Sequence, residues 1–227
     1  MADDGKENVL VSGGSGGIGA ALCRRLAAAG YRPIVGYGRN RDTAETIAGE
    51  TDGVAVALDL TDAAQIERAV AGLEGDPRRL AGLVLAASPP PLIEPVFREP
   101  AGEMERQWAV NVLGAHKLLD GVVRRLMRRH KRGWIVGVLS AAMHGDGAKN
   151  MGAYVIAKHG LCGLLTAVAA EYPWLAVIDV RPGLTETPML KAFDERFLES
   201  KRAQQPGSRF RTPDEVAREI MERIAGS

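Results

Sequence analysis

The sequence predicts an α/β fold, a doubly wound parallel sheet with helices on both faces. Short apolar runs alternate with longer amphipathic segments along most of the chain, and such alternation is typical of parallel sheets. The runs mostly lack polar alternation, as expected for strands covered on both faces. The chain has 227 residues, 46% of them hydrophobic, so we expect one domain spanning residues 1–227.

Six apolar runs predict six strands, which are Val9–Val11, Ile34–Tyr37, Val54–Leu58, Leu83–Ala86, Ile135–Leu139 and Leu175–Val180. Helical periodicity between and after them predicts helices at Ile18–Ala29, Asp42–Glu50, Asp62–Glu74, Gly102–His130, Ala153–Glu171 and Pro213–Ile224. Loop-like segments at 88–95, 141–152 and 181–206 each follow a strand, and the last is expected to hold a short helix. All three should therefore meet at the carboxyl edge of the sheet, where such folds bind ligands.

Composition narrows the functional classes. The net charge of +1 favours neither nucleic acid nor membrane as a partner, and no apolar stretch approaches the roughly 20 residues of a membrane helix. Residues 1–7 are polar and acidic, unlike a secretory signal. Neither the two cysteines nor the four histidines have metal-ligand spacing. We expect a cytoplasmic protein without a metal site.

A glycine-rich loop, Ser12–Gly19, lies between the first strand and the first helix. Glycine permits positive φ and close approach of the backbone to phosphate. Backbone N–H groups at the start of the helix, assisted by its dipole, favour a pyrophosphate. The loop therefore predicts a Rossmann-type dinucleotide site. Its candidate contacts are Ser12, Gly13, Ser15, Gly17, Ile18 and Gly19, with hydroxyl donors from the two serines.

A tyrosine and a lysine, Tyr154 and Lys158, are four residues apart in a predicted helix and so share one face. A nearby ammonium lowers the pKa of a phenol, which general acid–base catalysis requires. Ser140 ends the fifth strand, where its hydroxyl can hydrogen-bond a substrate oxygen. This arrangement indicates proton donation to a carbonyl.

With these residues the chain resembles the classical short-chain dehydrogenases/reductases, from about Asn8 to Ala225. Ser12–Gly19 resembles the family's T-G-x-x-x-G-x-G, with serine first, and residues 181–189 resemble its P-G-x-x-x-T segment. Asn111 resembles the helix asparagine that supports a proton-relay water. The family's catalytic serine, tyrosine and lysine match Ser140, Tyr154 and Lys158. The cofactor contacts that the resemblance implies are Asp59, Leu60, Ala87, Tyr154, Lys158, Pro182, Gly183, Thr185 and Thr187.

The resemblance implies a reaction. Tyr154 would protonate a ketone oxygen held by Ser140 while hydride arrives, and Lys158 would bind the nicotinamide ribose. The substrate expected is a 3-oxoacyl (β-keto) thioester of fatty-acid or polyketide biosynthesis, as for 3-oxoacyl-[acyl-carrier-protein] reductases. The alternatives are an NAD(P)-dependent alcohol or sugar dehydrogenase, and a weakly active cofactor-binding subunit of a heteromeric complex.

The end of the second strand predicts the nicotinamide. A carboxylate there would favour NAD, but none occurs before Asp42. Arg39, and also Arg41, can pair with a 2′-phosphate. We expect NADP(H), with NAD(H) as the alternative.

Two departures from the family pattern stand out. Ala86–Pro89 replaces the family's N-N-A-G after the fourth strand, which puts the adenosine side of the cofactor site in doubt. The seventh family strand is expected to be absent after the Pro213–Ile224 helix. The sixth strand would then be an edge, and because edges tend to be covered, we expect a homo- or hetero-oligomer.

Seven basic residues crowd the segment Arg124–Arg132 at a predicted helix end. A solvated cationic helix end explains them, since cations suit helix C-termini. Docking of an acidic acyl carrier protein is the alternative that the resemblance suggests. Nucleic acid is the weakest of the three, because aromatic stacking platforms are missing.

Overall fold

The computed structural model describes residues 5–227, apart from the side chains of 146 and 147, so the start of the polar N-terminal segment lies outside the described residues. Within that range six parallel strands form one sheet in the order β3-β2-β1-β4-β5-β6. They are β1 Asn8–Ser12, β2 Arg32–Tyr37, β3 Val54–Ala57, β4 Leu80–Leu85, β5 Gly133–Val138 and β6 Leu175–Val180. The order reverses between β1 and β4, which opens a crevice at the carboxyl ends of these strands. The predicted doubly wound sheet is confirmed.

The helices alternate with the strands. They are α1 Gly17–Ala28, α2 Arg41–Glu50, α3 Ala63–Glu74, α4 Glu103–Trp108, α5 Ala115–Gly121, α6 Gly152–Glu171, α7 Glu195–Ala203 and α8 Pro213–Ala225. The one long helix predicted at Gly102–His130 is instead four segments, since α4 and α5 are each followed by a π-helical stretch, Ala109–Gly114 and Val122–Met127. Helical periodicity did not separate these stretches from α-helix, because a π-turn alters the hydrogen-bond pattern over only a few residues within a longer helical segment.

Two hydrophobic cores lie on opposite faces of the sheet. Successive residues of β1 belong alternately to the two cores, Leu10 to one and Val9 and Val11 to the other. The first core contains residues of α3, α5 and α6, and the second contains residues of α1, α2 and α8. The absence of polar alternation in β1 therefore has the predicted cause, burial on both faces.

Helix α6 combines high apolarity with partial burial. Contrary to the expectation that no apolar stretch approaches membrane-helix length, α6 is the one helix in residues 5–227 whose length and hydropathy would allow it to cross a membrane, and 33% of that apolar window is buried. Its inner face contributes Leu161 and Leu165 to the core beneath the sheet. Packing of this face against the sheet fixes which face of α6 is directed inward.

Candidate active site

The glycine loop after β1 is closely packed. Gly13 has φ of +69°, and a Cβ there would lie 2.7 Å from the backbone nitrogen of Ala87. A Cβ on Gly19 would collide with the carbonyl oxygen of Gly13. The turn that brings the chain from β1 into α1 therefore needs glycine at both positions.

The start of α1 is suited to an anion. Its N-cap, Gly16, offers no capping side chain, and no acidic residue lies in the first turn. The first backbone N–H groups of α1, including those of Gly17 and Ile18, thus lack intrahelical acceptors. A phosphate group would satisfy them and the helix dipole together. The predicted dinucleotide fits this end of the sheet.

The two loop serines differ in their roles. Ser12 is fully buried, and its hydroxyl donates to the carbonyl of Val84 at 3.1 Å and accepts from the N–H of Ala87 at 3.4 Å. It thereby ties β1 to the end of β4, so the free hydroxyl donor that we expected of it is engaged within the protein. Ser15 makes no side-chain hydrogen bond within the described part of the chain.

The segment after β6 reaches back to the glycine loop. Its course is set by bonds from Ala141 N–H to the Pro182 carbonyl at 2.9 Å and from the Thr185 hydroxyl to the Gly183 carbonyl at 2.9 Å. Thr187 lies against Gly17, where any larger residue would collide with its side chain. The predicted nicotinamide segment is thus beside the predicted phosphate loop.

Three candidate catalytic residues converge at the carboxyl end of β5. Tyr154 is 8% exposed, Lys158 is 2% exposed, and the ammonium nitrogen lies 5.7 Å from the centre of the phenol ring. Ser140, 9% exposed, follows β5, and its hydroxyl is near enough to the Tyr154 phenol to lower the pKa of that group against the effect of burial. Lys158 Nζ donates to the carbonyl of Val138 at 2.8 Å. The spacing of four thus places both side chains on one face, as predicted.

The electrostatics differ from the expectation. Burial raises the pKa of Tyr154, and the hydrogen bond from Ser140 opposes this only in part. Burial also lowers the pKa of Lys158 from 10.5 to about 7, because charge is costly in a site removed from water. In the protein alone the net pKa of Tyr154 therefore lies above its usual value, opposite to the direction expected from the sequence, because desolvation is the largest effect on the phenol.

Asn111 lies in the π-helical stretch after α4 and is 1% exposed. Its Nδ2 donates to the backbone carbonyl of Gln107 at 3.0 Å and to Oε1 of the same residue at 3.2 Å. Its Oδ1 is buried and has no partner among the described residues. A buried acceptor of this kind calls for a water or a ligand.

The other end of the crevice carries the candidate adenosine contacts. Oδ1 of Asp59 accepts from the N–H and hydroxyl of Thr61, at 2.9 and 2.7 Å, which fixes the carboxylate near Gly38. Leu60 is buried against Gly114. The Leu60 side chain therefore packs within the protein at this turn.

The two candidate arginines are not equivalent. Arg39 is exposed and makes no hydrogen bond or ion pair within residues 5–227. Arg41 is paired with Glu45 at 2.7 Å, one helical turn away. Arg39 is thus the arginine available to a 2′-phosphate.

Sequence reasoning missed a polar cluster under the segment after β4. The Pro90 carbonyl accepts from Arg106 at 2.8 Å and from Gln107 at 3.0 Å. These bonds hold the segment that lacks the family's asparagine. The spacing of Glu103, Gln107 and Asn111, four residues apart on one helical stretch, was the signal available in the sequence.

A cavity of about 380 Å³ lies between this segment and the one after β6. It is lined by Pro90, Pro91, Leu92, Ile93, Arg106, Pro188, Lys191 and Ala192. Apolar walls with a few polar groups are typical of small-molecule sites.

The basic segment lies at the opposite edge of the sheet from the catalytic candidates. It follows the second π-helical stretch and immediately precedes β5, whereas Ser140 follows the end of that strand. Six residues of β5 separate them, roughly 20 Å. Arg124 pairs with Asp120 at 3.0 Å, and Arg125 pairs with two glutamates of α3. The remaining cations, Arg128, Arg129, Lys131 and Arg132, form no ion pair within the described chain.

Among residues 5–227 no group of three or more His, Cys, Asp or Glu side chains is placed to hold a metal ion. The two cysteines are free thiols, and burial raises the pKa of Cys23 to about 12.

Comparison with known proteins agrees with this geometry. The sequence profile of the short chain dehydrogenase family matches residues 7–197. The 3-oxoacyl-[acyl-carrier-protein] reductase MabA of Mycobacterium tuberculosis is 30% identical over 214 residues, which cover 92% of this chain and 82% of that protein. The acetoacetyl-CoA reductase of Shinella zoogloeoides is 30% identical over 220 residues, covering 93% and 88%. The crystal structure of levodione reductase superposes with a TM-score of 0.85 at 26% identity, covering 95% of this chain and 89% of that one.

Proposed function

Because this chain belongs to the short chain dehydrogenase family, and is thus an NAD(P)-dependent oxidoreductase acting on CH–OH or C=O groups, we propose that it uses NADPH to reduce the ketone of a 3-oxoacyl thioester. The observation that carries the proposal is the convergence of Ser140, Tyr154 and Lys158 in one buried corner of the crevice. Residues 1–227 would act as one catalytic unit.

Each residue has a distinct role. The nicotinamide, when bound, supplies the hydride. Tyr154 is protonated at neutral pH, because its pKa is raised by burial, and so it is poised to donate its phenolic proton to the developing alkoxide. Ser140 hydrogen-bonds the same oxygen and orients it. Lys158 offers its ammonium to ribose hydroxyls, and Asn111 holds a water that returns a proton to the site.

The substrate class rests on two supports. Two relatives, each 30% identical, carry names that specify β-keto thioesters, 3-oxoacyl-[acyl-carrier-protein] and acetoacetyl-CoA. The cavity between the segments after β4 and β6 is largely apolar, with Arg106 and Lys191 among its lining residues. This suits an acyl chain that ends in a polar group.

The choice of NADPH rests on Arg39. An exposed guanidinium without a carboxylate partner, directly after β2, favours a 2′-phosphate. The glycine loop, Asp59, Leu60, Ala87, and the Pro182–Thr187 segment complete the proposed dinucleotide site.

The test is the rate of NADPH oxidation with acetoacetyl thioesters, simple ketones and quinones. We expect Tyr154→Phe to reduce kcat by at least about 100-fold while NADPH still binds, as measured by quenching of protein fluorescence. Near-normal turnover by that variant would refute the proton-donor assignment. Activity on simple ketones alone would refute the substrate.

The proposal includes docking of an acidic carrier protein at Arg128 and Arg129, whose charges are unpaired. Because β5, which is roughly 20 Å long, separates them from Ser140, the carrier's acyl arm has to span the length of that strand or enter the site of a neighbouring subunit. Charge reversal at both positions should raise KM for carrier-bound substrate only. The control is Arg124→Glu, which removes an arginine already paired. Equal effects on a free ketone would refute docking.

We further propose that two copies associate through the outer face of α4–α6. Two large hydrophobic side chains are exposed there, Leu113 at 53% and Ile156 at 44%, and Phe97, in the segment after β4, is 98% exposed. Ile156 belongs to α6, whose residues are mostly apolar although only 33% of its apolar window is buried. A second copy would remove these side chains from water.

A further inference from the structure

Three polar side chains form a buried stripe along α4 and the π-helical stretch that follows it. Glu103 is 7% exposed, Gln107 is fully buried and Asn111 is 1% exposed. Their spacing of four places them one above another on the helical surface. Buried polar groups are costly unless each finds a partner, so such a stripe calls for an explanation.

The stripe begins at a fixed anion. Arg106 donates two hydrogen bonds to the Glu103 carboxylate, at 2.7 and 2.8 Å. Burial raises the pKa of Glu103, but the bonds from Arg106 and Gln107 outweigh it, so that the net pKa lies below its usual range. Glu103 is thus ionised at neutral pH and can only accept hydrogen bonds.

This acceptor fixes the orientation of the next side chain. Gln107 Nε2 donates to Glu103 Oε1 at 3.1 Å and to the Pro90 carbonyl at 3.0 Å. Both neighbours are acceptors, so they require the NH₂ group of the amide and exclude its oxygen. Gln107 Oε1 is therefore turned the other way, toward Asn111.

The orientation of the Asn111 amide is fixed by its neighbours in the same way. Gln107 Oε1 accepts from Asn111 Nδ2 at 3.2 Å, and the backbone carbonyl of Gln107 accepts from the same nitrogen at 3.0 Å. Both protons of that nitrogen are thus used within the helix. Asn111 Oδ1 remains, buried and without a partner among the described residues.

We infer that Glu103 and Gln107 are positioning residues that set the polarity of Asn111, so that its carbonyl oxygen accepts a hydrogen bond from a buried water serving the catalytic tyrosine. Neither residue touches the substrate. They act through Asn111, and the Pro90 carbonyl couples the same stripe to the segment after β4. The inference rests on the proposed function, in which this water returns the proton that Tyr154 gives up.

The kinetic test compares Gln107→Met and Glu103→Gln with wild type. We expect Gln107→Met to lower kcat about tenfold with KM for NADPH within twofold, because the cofactor contacts are untouched. The solvent deuterium isotope effect on kcat should rise in both variants, since proton supply becomes more limiting. Glu105→Gln is the matched control, because Glu105 is an exposed neighbour on α4 outside the stripe. Thermal unfolding of each variant reports whether the fold is retained.

A crystallographic test needs no activity. Crystals of the cofactor-free wild type should show an ordered water within hydrogen-bond distance of Asn111 Oδ1. In Gln107→Met that water should weaken, and the asparagine amide should adopt a second orientation. An unchanged amide and water in the variant, or a kcat and isotope effect equal to those of Glu105→Gln, would overturn the inference. A wild type inactive on every ketone would instead refute the proposed function, and the crystals would still decide the polarity argument.

Discussion

Replacing Lys158 by methionine should make the cofactor-free protein more stable at neutral pH. The ammonium is 2% exposed, and burial lowers its pKa from 10.5 to about 7. The unfolded chain therefore binds this proton more tightly than the folded protein. Stability is lost as the pH falls from about 10.5 to 7 and regained as it rises. The free-energy penalty of burying the Lys158 ammonium is fully present below about pH 7.

The size of the effect follows from the two pKa values. Between pH 7 and pH 9 the penalty decreases by about 2 kcal/mol, which for a domain of this size corresponds to about 4–8 °C in Tm. Methionine cannot titrate. The variant also loses the bond from Nζ to the Val138 carbonyl, but that cost does not depend on pH.

The assay is differential scanning calorimetry of the cofactor-free proteins at pH 7, 8 and 9. The Tm of Lys158→Met minus the Tm of wild type should decrease by about 4–8 °C as the pH rises from 7 to 9. The phenol of Tyr154 stays protonated over this range, because burial raises its pKa. Lys117→Met, at an exposed site on α5, is the control and should give a flat difference. A flat difference for Lys158→Met as well would refute the argument from burial.

Three further outcomes test other parts of the molecule. Arg39→Ala should raise KM for NADPH about 10- to 100-fold relative to KM for NADH, while Arg41→Ala should leave the ratio of the two KM values unchanged. Steady-state kinetics with both cofactors measure this ratio, and an equal rise of both KM values in Arg39→Ala would contradict the assignment. Gly19→Ala should lower Tm and abolish NADPH binding, because its Cβ would collide with Gly13. By contrast, Gly72→Ala, in open space on α3, should raise Tm by about 2–4 °C. In light scattering, Leu113→Glu should shift the dimer toward monomer. The control Phe197→Glu, the same kind of apolar-to-charged change on α7, should not, and a monomeric wild type would refute the interface.

Local pattern was sufficient for much of the site. The strand–helix alternation predicted the doubly wound sheet, and the spacing of Tyr154 and Lys158 predicted a shared face, because helical geometry relates residues four apart wherever the helix lies. Glycines between a strand and a helix predicted the tight turn at Gly13 for the same reason, since its steric demands are local.

The direction of the tyrosine pKa was beyond local pattern. From the sequence, an amine beside a phenol predicted a lowered pKa, whereas in the folded protein burial raises it. Desolvation depends on every element that packs around α6, including β5 and the segment after β6. No sequence interval contains that information.

The sequence alone indicated the family, through motifs that resemble it. It also predicted the alternation of strands and helices and the residues near the carboxyl edge, because these follow from spacing along one element and from the chirality of parallel crossovers. Only the tertiary structure decided that Ser12 is a brace between strands, that Arg41 is paired while Arg39 is not, and that the basic segment lies at the far edge from the catalytic residues. These depend on which groups meet across elements distant in the chain, and hydrogen bonds and charges respond to neighbours in space.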